Sequence, residues 1–199
     1  MNVTDTTALP AQGESRPLRA DARRNRERIV NAARAVFAEQ GRDAQMDDVA
    51  RRAKVGVGTV YRHFPTKEAL FTALVEDKFI RLKAIVDEHA DAADPGEAFF
   101  ASLWRFAELM AEDRTLHDVL RDYPHEVHAR RTGLFDEMAA LIDRAKAAGA
   151  LREDFRTEDL PVVMCGAGSA MQMAGCDHER FRRYFSMVLD GLRPAPTAA

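Results

Sequence analysis

Between residues 21 and 64 apolar positions recur at helical spacing three times in quick succession, and glycine or proline cuts off each run. Ile29, Ala32, Ala33, Val36 and Phe37 form the first stripe, on a helix predicted to start at Asp21 as its N-cap and to stop near Gln40, before Gly41. Met46, Val49, Ala50 and Ala53 form the second, with Asp47 and Asp48 at the end of the helix where negative charge is favoured. The third runs from about Val57 to Phe64 and stops at Pro65, which disfavours a helical residue before it. A tight glycine-containing connection at Lys54 to Gly56 joins the second and third helices, which makes the arrangement a helix-turn-helix.

The rest of the chain continues in the same period. Thr66 is placed to cap a long helix from Lys67 to about Ala92, and Pro95 suits the first position of the next. Further helices are predicted near 115–121, 124–148, 158–174 and 177–192. No alternating strand pattern occurs, so the fold is expected to be all-α, with about nine helices. At 199 residues and 46% hydrophobic content the chain can bury a substantial core. No apolar run is long enough to span a bilayer and the start lacks a signal-peptide pattern, which leads to an expected cytoplasmic location. The two cysteines, Cys165 and Cys176, make no disulfide framework.

Charge divides the chain. Residues 16–67 carry 13 Lys and Arg against 6 Asp and Glu, whereas residues 68–199 carry 16 against 24. A basic head on an acidic body is the footprint of a polyanion partner, although a basic helical surface also arises without one. On a helical wheel the third helix buries Val57, Val60 and Phe64. Gly58, Thr59, Arg62 and His63 fall outside that face, and Tyr61 falls on its flank, with the ring expected against the core edge and the hydroxyl outward. Such a helix suits a DNA major groove, and Gly58 leaves room for close backbone approach. Arg16, Arg19, Arg23 and Arg24 form a basic arm before the first helix, which either reaches the adjacent duplex or is a solvated tail.

The segment Phe37 to Phe71, FAEQGRDAQMDDVARRAKVGVGTVYRHFPTKEALF, resembles the DNA-binding motif of the tetracycline-repressor-like (TetR/AcrR) family of bacterial transcription regulators. The likeness rests on the spacing from Phe37 to Gly41, on DDVARRA, on GTVYRHF and on KEALF. It implies a homodimeric regulator, not an enzyme, that binds a palindromic double-stranded operator and is released by a small-molecule effector. Carried over by position, it implies phosphate contacts for Tyr61, His63 and Lys67, and base or phosphate contacts for Thr59 and Arg62. Where the family commonly has glycine and then a serine or threonine cap, this chain has Lys54 and Gly56; the lysine can supply charge, and the glycine is the weaker cap. The implied division is a disordered tail at 1–17, a DNA-binding domain at 18–66 and a ligand-binding and dimerisation domain at 67–194. An all-α enzyme and an effector-independent DNA-binding protein are the rival readings.

In the body, Phe99, Phe100, Leu103, Trp104, Phe106 and Met110 make one helix apolar nearly all round, so it must touch more than one neighbour. Phe100, Trp104 and Met110 are either core or the lining of an apolar ligand cavity, to which His117, Tyr123 and His128 would add polar contacts. The tract VVMCGAGSAMQMAGC at 162–176 is rich in small residues that weaken a helix, which close helix approach would offset. Val162, Cys165, Gly166, Ser169 and Met173 lie along it; by the resemblance they belong to a dimer interface, and otherwise they pack within the monomer. Cys165 is read as a buried small residue in preference to a redox sensor. His125 and His128 are spaced too closely for the zinc-protease motif, so no metal, cofactor or catalytic residue is expected.

Overall fold

The computed structural model describes residues 15–112, 130–173 and 177–195. Helix α1 (Ser15–Gln40) is longer at its start than the sequence pattern predicts. Asp21 is therefore not an N-cap; it lies on the exposed helix surface, paired with Arg24. Pro17 permits the earlier start, because a proline in the first turn gives up only an N–H that has no intrahelical acceptor. The expected disordered tail is thus helical from residue 15, and residues 1–14 lie outside the described residues.

A short 3-10 turn (Gly41–Asp43) leads to α2 (Met46–Ala53) and α3 (Val57–His63), both bounded where the sequence places them. Met46, Val49, Ala50 and Ala53 are all buried, and the Asp48 carboxylate accepts the Gln45 N–H at the start of α2. Helix α4 (Lys67–Asp87) begins at Thr66, whose hydroxyl accepts the Ala69 N–H at 3.1 Å. It ends at Asp87, earlier than predicted, and the chain turns through residues 88–91 before α5 (Pro95–Glu112). The Asp94 carboxylate accepts the N–H groups of Gly96 and Glu97, which caps α5 with Pro95 inside its first turn.

Beyond the segment 113–129, the expected continuous helix 124–148 is interrupted. Gly133 has φ +76, a left-handed conformation that stops the helical residues 130–132, and α6 (Leu134–Ala147) restarts after it. A second 3-10 turn (Thr157–Asp159) leads into α7 (Leu160–Met173), and Asp177 caps α8 (His178–Asp190) by accepting two backbone N–H groups. The described residues contain no strand, so the protein is all-α.

Among the described residues the buried apolar side chains form a single core, and α4 threads through it. Its first half packs on α1, with the Phe37 and Phe71 rings 4.7 Å apart; its second half packs on α5 and α6. Helix α5 touches α4, α6 and α7, which is why it is apolar on nearly every side. Among the described residues no helix is long and apolar enough to cross a membrane.

Candidate nucleic-acid interface

The turn between α2 and α3 is set by Lys54. Its φ of 56° is the left-handed conformation that ends a helix, and its N–H reaches the Arg51 carbonyl while the Val55 N–H reaches Ala50. Glycine adopts this conformation without strain, whereas a side chain costs about 1–2 kcal/mol there. The same turn leaves the Lys54 side chain exposed beside the start of α3. Gly56 opens α3 in an extended conformation and, lacking a side chain, gives no capping hydrogen bond.

Helix α3 is anchored by Val60, fully buried, and by Phe64, 3% exposed, at its end. Val57 does not join them: it is 41% exposed, contrary to the wheel. As the first residue of a two-turn helix it lies at the open end, and the wheel describes only its direction, not whether a neighbour reaches it. Tyr61 is also more open than expected, with 46% of its surface exposed. Arg62 is exposed and donates to the Thr59 hydroxyl at 3.3 Å, so these two act as one polar unit on the outer face. His63 is half-buried next to Phe64, with ring centroids 6.4 Å apart. A Cβ built on Gly58 meets nothing within 4 Å, so the protein itself does not use that clearance.

Lys67 is wired into the fold in a way its sequence position does not announce. Its ammonium donates to the Arg42 carbonyl at 2.8 Å and lies 5.4 Å and 5.8 Å from the Phe37 and Phe71 ring centres. It therefore ties the turn after α1 to the start of α4, and holds a positive charge at that junction. Two further arginines that the pattern did not single out fix the frame around α3. Arg28 donates to the Ala53 carbonyl at the end of α2, and the Arg26 guanidinium lies 5.4 Å from the Phe64 ring centre. Arg23 is exposed on α1; Arg19 belongs to the same helix.

In the body, three of the proposed ligand residues fall in different surroundings. Phe100 is buried beneath the Arg193 guanidinium, Trp104 meets the Phe185 ring of α8 edge-on at 4.8 Å, and Met110 is half-buried facing Gly168 of α7. His117, Tyr123 and His128 lie outside the described residues. Val162, Cys165, Gly166, Ser169 and Met173 are all exposed, Val162 at 72% and Met173 at 86%. The expectation of a buried Cys165 is thus overturned: it points away from the stripe of Leu160, Met164 and Ala167 that packs inward. Met187 and Val188 of α8 extend this exposed apolar surface. Met187 is turned away from the buried Phe181, Phe185 and Leu189, a helical offset that was readable from the spacing, whereas Val188 lies on the flank of that buried face.

A model described as "Transcriptional regulator SbtR-like, C-terminal domain" matches residues 94–194, and one described as "Bacterial regulatory proteins, tetR family" matches residues 29–74. The chain belongs to the TetR family. It is similar to the TetR transcription regulatory protein from Mycobacterium vanbaalenii, with 35% identity and a TM-score of 0.66 over 89% of this chain and 100% of that one. The TetR regulator SCO0520 from Streptomyces coelicolor is 33% identical, with a TM-score of 0.64 over 86% and 99% of the two chains. The transcriptional repressor KstR of Mycobacterium tuberculosis is 33% identical over 138 residues, which span 66% of this chain and 63% of KstR. This TetR-family member is accordingly a DNA-binding transcriptional regulator, with its helix-turn-helix in α2 and α3.

Proposed function

We propose that this protein is a homodimeric repressor that reads a palindromic operator through α3 and is released from it by a small molecule held in the helical body. The observation that carries the DNA reading is the outer face of α3: the Thr59 and Arg62 pair, the unused clearance at Gly58, and the charges of Lys54 and Lys67 on either side. Arg62 has the fork geometry that recognises a guanine edge, while Tyr61, His63, Lys54 and Lys67 are suited to hold the backbone and fix the register.

The dimer reading is supported by the exposed surface of α7 and α8. Among the described residues none comes within 4 Å of where a side chain at Gly166 would project, so none of them calls for glycine there. Its cost to helix stability is offset in this reading by the close approach of a second copy. Two bound copies then present two α3 helices about one turn of B-DNA apart, roughly 34–36 Å. Residues 18–66 act in this reading as the DNA-binding unit and 67–194 as the effector and dimer unit, with the apolar α5 residues Phe100, Trp104 and Met110 contributing to the effector site. An effector acts by favouring a body conformation in which the spacing of the two α3 helices no longer fits the operator.

Selection of bound duplexes from a random pool, followed by anisotropy titration of the enriched sequence, tests the reading. The expected result is an enriched inverted repeat bound in a salt-dependent way, as two protein chains per duplex. Binding that shows no sequence preference would sink it.

A further inference from the structure

Helix α3 opens on Gly56, Val57 and Gly58, and among the described residues a Cβ built on either glycine meets nothing within 4 Å. Val57 is therefore a lone isopropyl group between two stretches of bare backbone. It is 41% exposed, whereas Val55 packs against the core and Val60 is fully buried in it. The start of a helix favours acidic or small polar side chains, which answer its free N–H groups. A valine does neither, so local structure gives no reason for an apolar group in water at this place.

The position itself supplies one. A helix-turn-helix sets its second helix in the major groove so that the first residues of that helix meet base edges, and Val57 is the first residue of α3. Tyr61 follows one turn later on the same side, also exposed, and on the wheel Gly58 separates both from the paired Thr59 and Arg62. The outer surface of α3 thus carries an apolar strip beside a polar one. An isopropyl group neither donates nor accepts a hydrogen bond. The major-groove edges of guanine, cytosine and adenine offer hydrogen-bonding groups, whereas thymine adds a 5-methyl group, and that methyl is what an isopropyl group can recognise. The missing side chains at Gly56 and Gly58 let the backbone come close enough for the two to touch.

We propose that Val57 reads a thymine in each operator half-site through the 5-methyl group of the base, and so adds an apolar element of specificity to the polar contacts of Thr59 and Arg62. The inference rests on the DNA reading above, and it goes further by assigning one base to one side chain. Since the contact is with the methyl group alone, it tells thymine from uracil, which share every hydrogen-bonding group.

The test uses the full chain and the selected inverted repeat, with deoxyuridine replacing thymidine at one symmetric pair of positions at a time. At one pair the unaltered protein should lose about fourfold in affinity per half-site, the worth of one buried methyl, and hence about fifteenfold for the whole repeat. Val57→Ser replaces the isopropyl group by a hydroxyl of similar helix propensity, and this variant should bind the thymidine and deoxyuridine duplexes of that pair equally. The scan of the unaltered protein decides by itself if the variant fails to fold. A scan in which no replacement weakens binding, or an enriched half-site without thymine, would overturn the proposal while leaving the operator reading intact. Full sensitivity retained by a folded Val57→Ser variant would also overturn it, because another group, such as the Thr59 methyl, would then meet the base. Failure of the unaltered protein to enrich any sequence would instead reject the DNA reading itself.

Discussion

Lys54 holds a left-handed backbone where glycine is unstrained, and it also supplies charge beside the start of α3. These two roles give opposite signs on substitution. Lys54→Gly is expected to raise stability by about 0.5–1 kcal/mol, the relief of strain minus the extra entropy of an unfolded glycine. The urea midpoint should rise with the slope of the transition unchanged, and operator affinity should fall. A loss of stability would show that the lysine side chain makes up for its own strain. The sequence marked this position as a departure, because a lysine stood where glycine was expected, but it did not show that the backbone still takes the glycine conformation. Lys67 was legible only in part for a different reason. Its partners are a carbonyl 25 residues away and two rings on separate helices, and helical periodicity carries no information about such contacts. Lys67→Ala should therefore reduce the salt slope by about one per protomer and also lower stability by about 1–2 kcal/mol, as a hydrogen bond to a charged group and a ring contact are lost together. A residue that only touched phosphate would change the slope and leave the melting curve where it was.

At the scale of elements, α4 connects the head to the body, and polar contacts hold it at both ends. Arg34 of α1 pairs with Asp77 of α4, with side chains 22% and 27% exposed, while Arg26 and Glu76 are 3.7 Å apart and more open. Toward the other end, Lys83 meets Asp87 and Glu137; the hydrogen bond to Asp87 is the larger cause that lifts its ammonium above the usual lysine range. Arg144 of α6 donates to the Ala90 and Ala92 carbonyls just past the end of α4. Burial ranks the two pairs with α1. Asp77→Ala leaves a partly buried guanidinium without its carboxylate and should cost about 2 kcal/mol, whereas Glu76→Ala should cost less than about 1 kcal/mol. Urea unfolding of both variants checks the order, and equal losses would mean that exposure is not what separates them. The starts of α4, α5 and α8 were legible at Thr66, Pro95 and residue 177, and in the structure the Thr66, Asp94 and Asp177 side chains cap them. Boundaries were misread where the signal was conformational. Asp21 looked like a cap inside a longer helix, and the break at Gly133 lay within an uninterrupted apolar period.

For the molecule as a whole, the question is what covers α7 and α8. Val162, Met173, Met187 and Val188 expose 72%, 86%, 59% and 40% of their surfaces, and Cys165, Gly166 and Ser169 are open between them. The small-residue tract raised this possibility in the sequence, but periodicity alone left open whether those residues face another helix of the same chain; among the described residues, none comes within 4 Å of a side chain built at Gly166. Gly166→Ala separates the two accounts. In an isolated chain the added methyl meets none of the described residues and gains about 1 kcal/mol of helix propensity, so the monomer should become more stable. In a dimer whose helices approach at that point, the same methyl must push the partner away. Sedimentation equilibrium should then show weaker self-association for Gly166→Ala, and still weaker association for Met173→Glu, which places a charge within the apolar surface. Affinity for the inverted repeat should fall in the same order, while affinity for a single half-site stays constant, because the α3 surface is untouched. If Gly166→Ala associates as tightly as the unaltered protein, the helices do not approach at Gly166, and the reason for that glycine must be sought elsewhere on the exposed surface.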